Sequence, residues 1–375
     1  MPALQMREKV RILIGVTVVS LLAHFSDVPT LVGALLAVPA LNTRFPLTPG
    51  RLPRLNFFAV AIDGDVINSH EGYERFLIPY AAFALHAQRE SVAELVVSSA
   101  ETFQRDHAPA LAVLARVFPG RVVVREPGEA ALLLAARLAQ AGWRAMVRFL
   151  DAPRLRANVT LIGDVDIMTL APTPSEDFAA EHLAHMRAFL PALPYSNIVR
   201  PHKTDHRGVH AKFNHPRWRH LTGRLHAVET DAFYGAPAWA EAVEWFSAPE
   251  AERDPERAGM LIDEVALQLL CARAFGLPER KNLAAEVAAD PAAAQRALTW
   301  SPTRGIHLSP ARGRGKVMLN VASCRYCRAA ATVARLAWFA ELLTVSPDFT
   351  SVQAQINELC ACCVAGSPDD KECAM

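Results

Sequence analysis

The sequence predicts an α/β fold built on a mostly parallel sheet with helices on both faces. Three observations carry that expectation. Its strand-length apolar runs are continuous rather than alternating, the mark of strands buried on both sides. Through residues 56–168 these runs alternate with segments of helical period, and crossovers of helical length join parallel neighbours. Two of the runs end in closely spaced acids, at 63–65 and 164–166. That is expected where strands stop at the carboxyl edge of such a sheet and the ligand crevice begins.

The elements follow in order. NFFAVAIDGD (56–65) is an apolar run closing on Asp63 and Asp65, hence a first buried strand. YERFLIPYAAFALHAQ (73–88) has helical spacing and VAELVVSS (92–99) strand character; HAPALAVLARVF (107–118) is again helical and RVVVRE (121–126) a short strand. EAALLLAARLAQAGWRAMVRFL (129–150) is a long Ala-rich helical region, and NVTLIGDVDIM (158–168) a fourth strand. SEDFAAEHLAHMRAFL (175–190) reads as a helix with Ser175 at its N-cap and acids in its first turn. The half that follows is irregular: a polar His-rich stretch (200–221), a strand in RLHAVETDAFY (224–234), and helices in APAWAEAVEWF (236–246) and GMLIDEVALQLLCARAF (259–275). After Gly305 come a basic Gly/Arg loop, one amphipathic helix and a Cys-rich end.

This divides the chain into an apolar segment at 1–41, a Pro/Arg-rich linker at 42–55, a catalytic α/β domain at 56–300 and a helical, Cys-rich tail at 301–375. At 51% hydrophobic and 21% charged the chain is globular rather than disordered. Its formal charge of +1 gives no basic excess for a phosphate backbone, so nucleic acid is not expected as a partner. Residues 11–41 hold two apolar runs broken by His24, Asp27 and Pro29. They read as a single-pass signal anchor, Golgi-type in a eukaryote, with a cleaved signal or a buried segment of a cytoplasmic protein as alternatives. CRYC (324–327) and CACC (360–363) suit disulfides, a thiolate zinc site or free thiols. The six histidines between 202 and 226 offer no pair with convincing zinc spacing beside a carboxylate. Asn158-Val159-Thr160 fits the N-glycosylation pattern but falls inside a predicted buried strand, which argues against its use.

The chemistry concentrates at Asp164-Val165-Asp166. Two carboxylates at a strand end, with Val165 turned into the fold, would share one hard divalent ion, Mn²⁺ or Mg²⁺, together with substrate phosphates. A strand, a Gly and then Asp-x-Asp, behind an α/β half-sheet, resembles the DxD region of GT-A-fold glycosyltransferases. The resemblance spans roughly residues 56–275. It implies a Rossmann-type catalytic domain that takes a UDP- or GDP-sugar as donor and a glycan, lipid or protein hydroxyl as acceptor. It further implies Asp164 and Asp166 as metal ligands with His226 as the third, and Asp63 or Asp65 on the base or ribose. Arg207, Lys212 or Arg219 would neutralise the phosphates, and Asp263 or Glu264 would hold or deprotonate the acceptor. Glu229 and Asp231 follow His226 in the same stretch. The HxxGxxKPW element of glycosyltransferase family 8 is not found, so no subfamily is assigned. Two other readings stay open. A haloacid-dehalogenase-like phosphohydrolase would use Asp63 as nucleophile and Asp65 as acid, against which Ile67 stands at the usual Thr or Val position. A catalytically inactive GT-A-like binding protein is the other.

Overall fold

The computed structural model describes residues 47, 50–62, 72–129, 131–132, 143–173, 176–177, 179–180, 183, 193–200, 220–247, 263–276, 305–308, 322–364 and 372–373. The apolar segment at 11–41 lies outside them. No helix among the described residues is long and apolar enough to cross a membrane. Residues 44–375 form one compact unit.

The elements in chain order begin with β1 (Leu55–Ala61), a 3₁₀ turn (Tyr73–Phe76), α1 (Leu77–Ala87), β2 (Ser91–Val97), α2 (Ala100–Asp106), α3 (Ala108–Val117) and β3 (Val122–Arg125). Next are α4 (Trp143–Leu150), β4 (Val159–Gly163), β5 (Ile167–Thr169), β6 (Tyr195–Arg200), β7 (His220–Glu229), α5 (Thr230–Tyr234), α6 (Pro237–Ser247) and α7 (Asp263–Ala274). The chain closes with β8 (Gly305–His307), β9 (Ala322–Ser323), α8 (Cys324–Val333), α9 (Ala337–Val345), α10 (Pro347–Val364) and β10 (Glu372–Cys373).

The central sheet has the order β3-β2-β1-β4-β7-β6. β1 to β4 are mutually parallel, and β7 runs antiparallel to both of its neighbours, β4 and β6. The mostly parallel α/β architecture expected from the sequence is therefore present. Its strands are buried on both sides for a visible reason. Phe57 and Ala59 of β1 join one core with α1, α3 and α8 to α10, while Phe58 joins the opposite core with α6 and α7. Both faces of β1 therefore carry mostly apolar side chains, buried Asn56 being the exception, so alternation is lost.

Buried charge ties the sheet to the segment before β4. Glu94 of β2 accepts from Arg125 of β3 and from the backbone N–H groups of Arg154 and Leu155 at 2.9 Å. Arg125 also donates to Asp151 at 2.6 Å, whose other oxygen accepts from Gly128 N. Both buried acids are paired, as a desolvated carboxylate requires.

Two expectations change. The predicted strand at 158–168 is two strands: β4 stops at Gly163, residues 164–166 turn, and β5 begins at Ile167 in a separate two-stranded sheet with β8. A continuing strand would bury both carboxylates among apolar neighbours. The turn buries Val165 and Asp166 and leaves Asp164 half-exposed. At the C-terminus one amphipathic helix was expected and three form. CRYC and CACC pair as Cys324–Cys363 and Cys327–Cys360. Each pair of cysteines sits three residues apart on its helix, so α8 and α10 present matching faces. The Cα separations of 5.2 and 5.4 Å suit a disulfide.

Candidate metal centre

In an open parallel sheet the ligand crevice forms where the strand order reverses, outside the carboxyl ends of the two strands concerned. Here the reversal falls between β1 and β4. The two strands are parallel and paired from Leu55↔Val159 to Phe58↔Ile162. Ala61 and Gly163 thus end them at the same edge, and Asp164-Val165-Asp166 is the turn that leaves β4 there.

Asp166 is 4% exposed, Asp164 is half-buried, and His307 is 7% exposed. One ligand atom from each lies within 4.8 Å of the others. His307 Nε2 is 3.4 Å from Asp166 Oδ2. Asp166 Oδ1 is buried with no hydrogen-bond partner among the described residues. A buried carboxylate with one oxygen unsatisfied is costly unless a cation completes it. The donor set of two carboxylates and one imidazole fits Mn²⁺ or Mg²⁺, Mn²⁺ accepting the imidazole more readily.

The histidine arrives by sheet register. β8 pairs antiparallel with β5, Ile167 opposite His307 and Thr169 opposite Gly305. Leu308 N donates to Asp166 O at 2.8 Å, extending the ladder to Asp166 itself. Gly305 permits this approach, because a Cβ there would lie 1.8 Å from Met168 O.

Two further side chains shape the site. Arg148, at the end of α4, donates from Nη1 to Asp164 Oδ1 at 2.6 Å and is itself 9% exposed. Tyr80 of α1 is buried, and its hydroxyl has no hydrogen-bond partner among the described residues. Burial, then the negative charge of Asp164, pushes its phenol well above the ordinary tyrosine range, so it is a neutral donor.

Of the residues expected from the sequence, the structure brings Asp164 and Asp166 together. Asp63, Asp65, Arg207, Lys212 and Arg219 lie outside the described residues. His226 lies on β7 opposite Ile162, two residues before Asp164, with its side chain outside the described set. Asp263 and Glu264 open α7, their side chains likewise outside it. Glu229 pairs with Val159, so it and Asp231 stand at the amino end of β4, away from the Asp164–Asp166 turn; Asp231 is ion-paired with Arg156 at 2.6 Å.

His307 and Arg148 were missed. The only local signal for His307 is its position between Ile306 and Leu308 in an otherwise Gly- and Arg-rich stretch. Arg148 looks like an ordinary polar position of a helix. A separate cleft of about 840 Å³ lies at the opposite edge, lined by Arg54, Gln88, Glu176, Asp177, Arg325 and their neighbours. Arg54 pairs there with Asp177 and Arg325 with Glu176.

No protein-family model matches the sequence, and no curated protein matches it. Among solved structures, the crystal structure of mouse xyloside xylosyltransferase 1 in its apo form is similar at a TM-score of 0.38 and 12% identity. That similarity covers 59% of this chain and 83% of that one, and at such a score it carries no argument.

Proposed function

We propose that the chain is a metal-dependent glycosyltransferase of GT-A type, moving a sugar from a nucleotide-diphosphate sugar to an acceptor hydroxyl. The observation that carries this reading is the buried Asp166, one oxygen unpartnered, converging with Asp164 and His307 at the sheet switch point. Asp164, Asp166 and His307 would hold Mn²⁺ or Mg²⁺. The bound ion supplies Lewis-acid stabilisation of the charge that develops on the departing nucleoside diphosphate.

The chain's own groups complete the assignment. Arg148 places a fixed positive charge beside Asp164, and with a metal held by that carboxylate it would be suited to a diphosphate. The carboxyl edge of β1 leads toward Asp63 and Asp65, assigned to the base or ribose. Asp263 or Glu264 binds the acceptor hydroxyl and accepts its proton in an inverting reaction. Arg207 and Lys212 are assigned to the phosphates. An octahedral ion takes more than three ligands, so His226 is retained as a further candidate beside His307. Residues 11–41 are read as a signal anchor; the two disulfides favour an oxidising compartment over the cytoplasm.

Titration calorimetry of the full chain with Mn²⁺ tests the centre. Asp166→Asn and His307→Ala are expected to weaken binding by at least about tenfold. Wild-type affinity in both variants would overturn the metal site. Release of UDP or GDP from its sugar nucleotide, dependent on Mn²⁺ and abolished in Asp164→Ala, tests the transfer reading. A phosphatase activity that survives Asp166→Asn and is lost in Asp63→Asn would replace it.

A further inference from the structure

Asn158-Val159-Thr160 is the one Asn-x-Ser/Thr triplet in the sequence. Its expected burial is not what the structure shows. Asn158 precedes β4 and is exposed, while Val159 and Thr160 are buried inside the strand. Both backbone polar groups of Asn158 are hydrogen-bonded, its N–H to Pro53 O at 3.0 Å and its carbonyl to Thr230 N at 3.4 Å.

A second, independent observation concerns the compartment. Four cysteines are joined in two disulfides between α8 and α10, and such bonds persist in oxidising lumens such as that of the secretory pathway. That is also where Asn-x-Ser/Thr triplets are modified. The third observation is position. Asn158 stands at the amino end of β4 and Asp164 beyond its carboxyl end. At strand rise the two are roughly 20 Å apart, so a bulky group on Asn158 leaves the switch-point crevice open.

We propose that Asn158 carries an N-linked glycan acquired in the secretory lumen. The co-reactant is a polyisoprenyl-diphosphate-linked oligosaccharide, presented by a membrane-bound transferase. The carboxamide nitrogen of Asn158 forms a bond to C1 of the reducing-end sugar as the C1–O bond to the diphosphate breaks. The nitrogen gives up one proton, and the polyisoprenyl diphosphate leaves; nothing is oxidised or reduced.

The structure also sets the timing. Thr160 Oγ1 is buried against Thr230 Oγ1 at 2.8 Å, and β4 is an interior strand, so the folded triplet is closed to an enzyme. Thr230 lies 70 residues downstream. The triplet is readable while that stretch is still being made, and folding then seals Thr160 and leaves Asn158 outside.

The test is expression of the full chain in eukaryotic cells, followed by peptide-N-glycosidase digestion and mass spectrometry of the peptide holding Asn158. The expected result is a single glycan-sized gel shift, removed by the glycosidase and absent in Asn158→Gln. Thr160→Ser keeps the triplet and the hydroxyl and retains the shift. Thr160→Val keeps the shape and loses it. Purified, folded, unglycosylated chain offered to the same microsomal transferase stays unmodified. An unmodified Asn158 in the cellular protein overturns the proposal, whether its cysteines are oxidised or reduced. So does a shift that persists in Asn158→Gln. Because no step uses the metal, loss of the transferase reading would leave this result standing.

Discussion

Asp166 lies between two environments, a carboxylate with one oxygen facing His307 and the other buried without a hydrogen-bond partner among the described residues. Arg148 is ion-paired with Asp164 at 2.6 Å. In the proposed metal site a divalent ion and the guanidinium would compete for Asp164. Arg148→Gln removes the competitor, and Mn²⁺ binding without nucleotide is expected to tighten several-fold. On the proposed reading the same variant removes a charge offered to the diphosphate, so UDP or GDP binding in saturating Mn²⁺ is expected to weaken by about tenfold, the scale of one charge-assisted hydrogen bond. Calorimetry of both steps checks the opposite signs. A change of the same sign in both would mean that Arg148 only supports the local structure.

At the scale of elements, the third ligand of the proposed metal centre comes from β8, and β8 packs against β5, β9 and α8. α8 is in turn bonded twice to α10, which packs against α1. Phe349 of α10 stacks on Phe83 of α1 with ring centroids 6.1 Å apart, and Phe339 of α9 meets both. The C-terminal helices thus share the core of the sheet. The Cys327–Cys360 bond closes 33 residues, a span for which a disulfide contributes about 2–4 kcal/mol. Replacing both of these cysteines by Ser is expected to lower the unfolding free energy by that amount in denaturant titration. An unchanged midpoint would show the staple to be redundant with the aromatic packing.

For the whole molecule, acid is expected to act through a partly buried histidine of α1 that is not among the proposed metal ligands. His86, on α1, packs against Trp338 of α9 with ring centroids 5.7 Å apart. Burial first, then the charges of Arg89 and Arg121, lowers its pKa from 6.5 to about 4. Well above pH 6.5 it is neutral in both folded and unfolded chains and contributes no pH dependence. As pH falls from about 6.5 toward about 4, the unfolded chain binds a proton that the folded one refuses, so stability declines, by about 2–3 kcal/mol in all. His86→Phe keeps a ring against Trp338 and removes that titration. Its stability, followed by denaturant midpoint from pH 7 to 4.5, is expected to fall less steeply than that of the wild type. Equal slopes would assign the acid sensitivity to the carboxylates instead.

Much of this architecture was legible from residues alone. Continuous apolar runs at β1, β2 and β4, separated by helical segments, required a sheet covered on both faces, because only full burial on two sides removes polar alternation. Asp164 and Asp166 stood out because acids ending such a run need a reason to be there. Local pattern also gave the wrong ending to β4: strand propensity continues through Ile167 and Met168, and only the cost of burying two carboxylates in the ladder breaks it. His307 was beyond the reach of sequence. It lies 141 positions from Asp166, and it arrives there through the β5–β8 register and the glycine that allows it. Arg148 and the exposure of Asn158 are of the same kind, set by what each helix end or strand end meets in the fold. The sequence by itself determined which segments must be buried and which acids were out of place. Tertiary structure decided what meets those acids, because long-range pairing brings together groups whose separation along the chain carries no periodic signal.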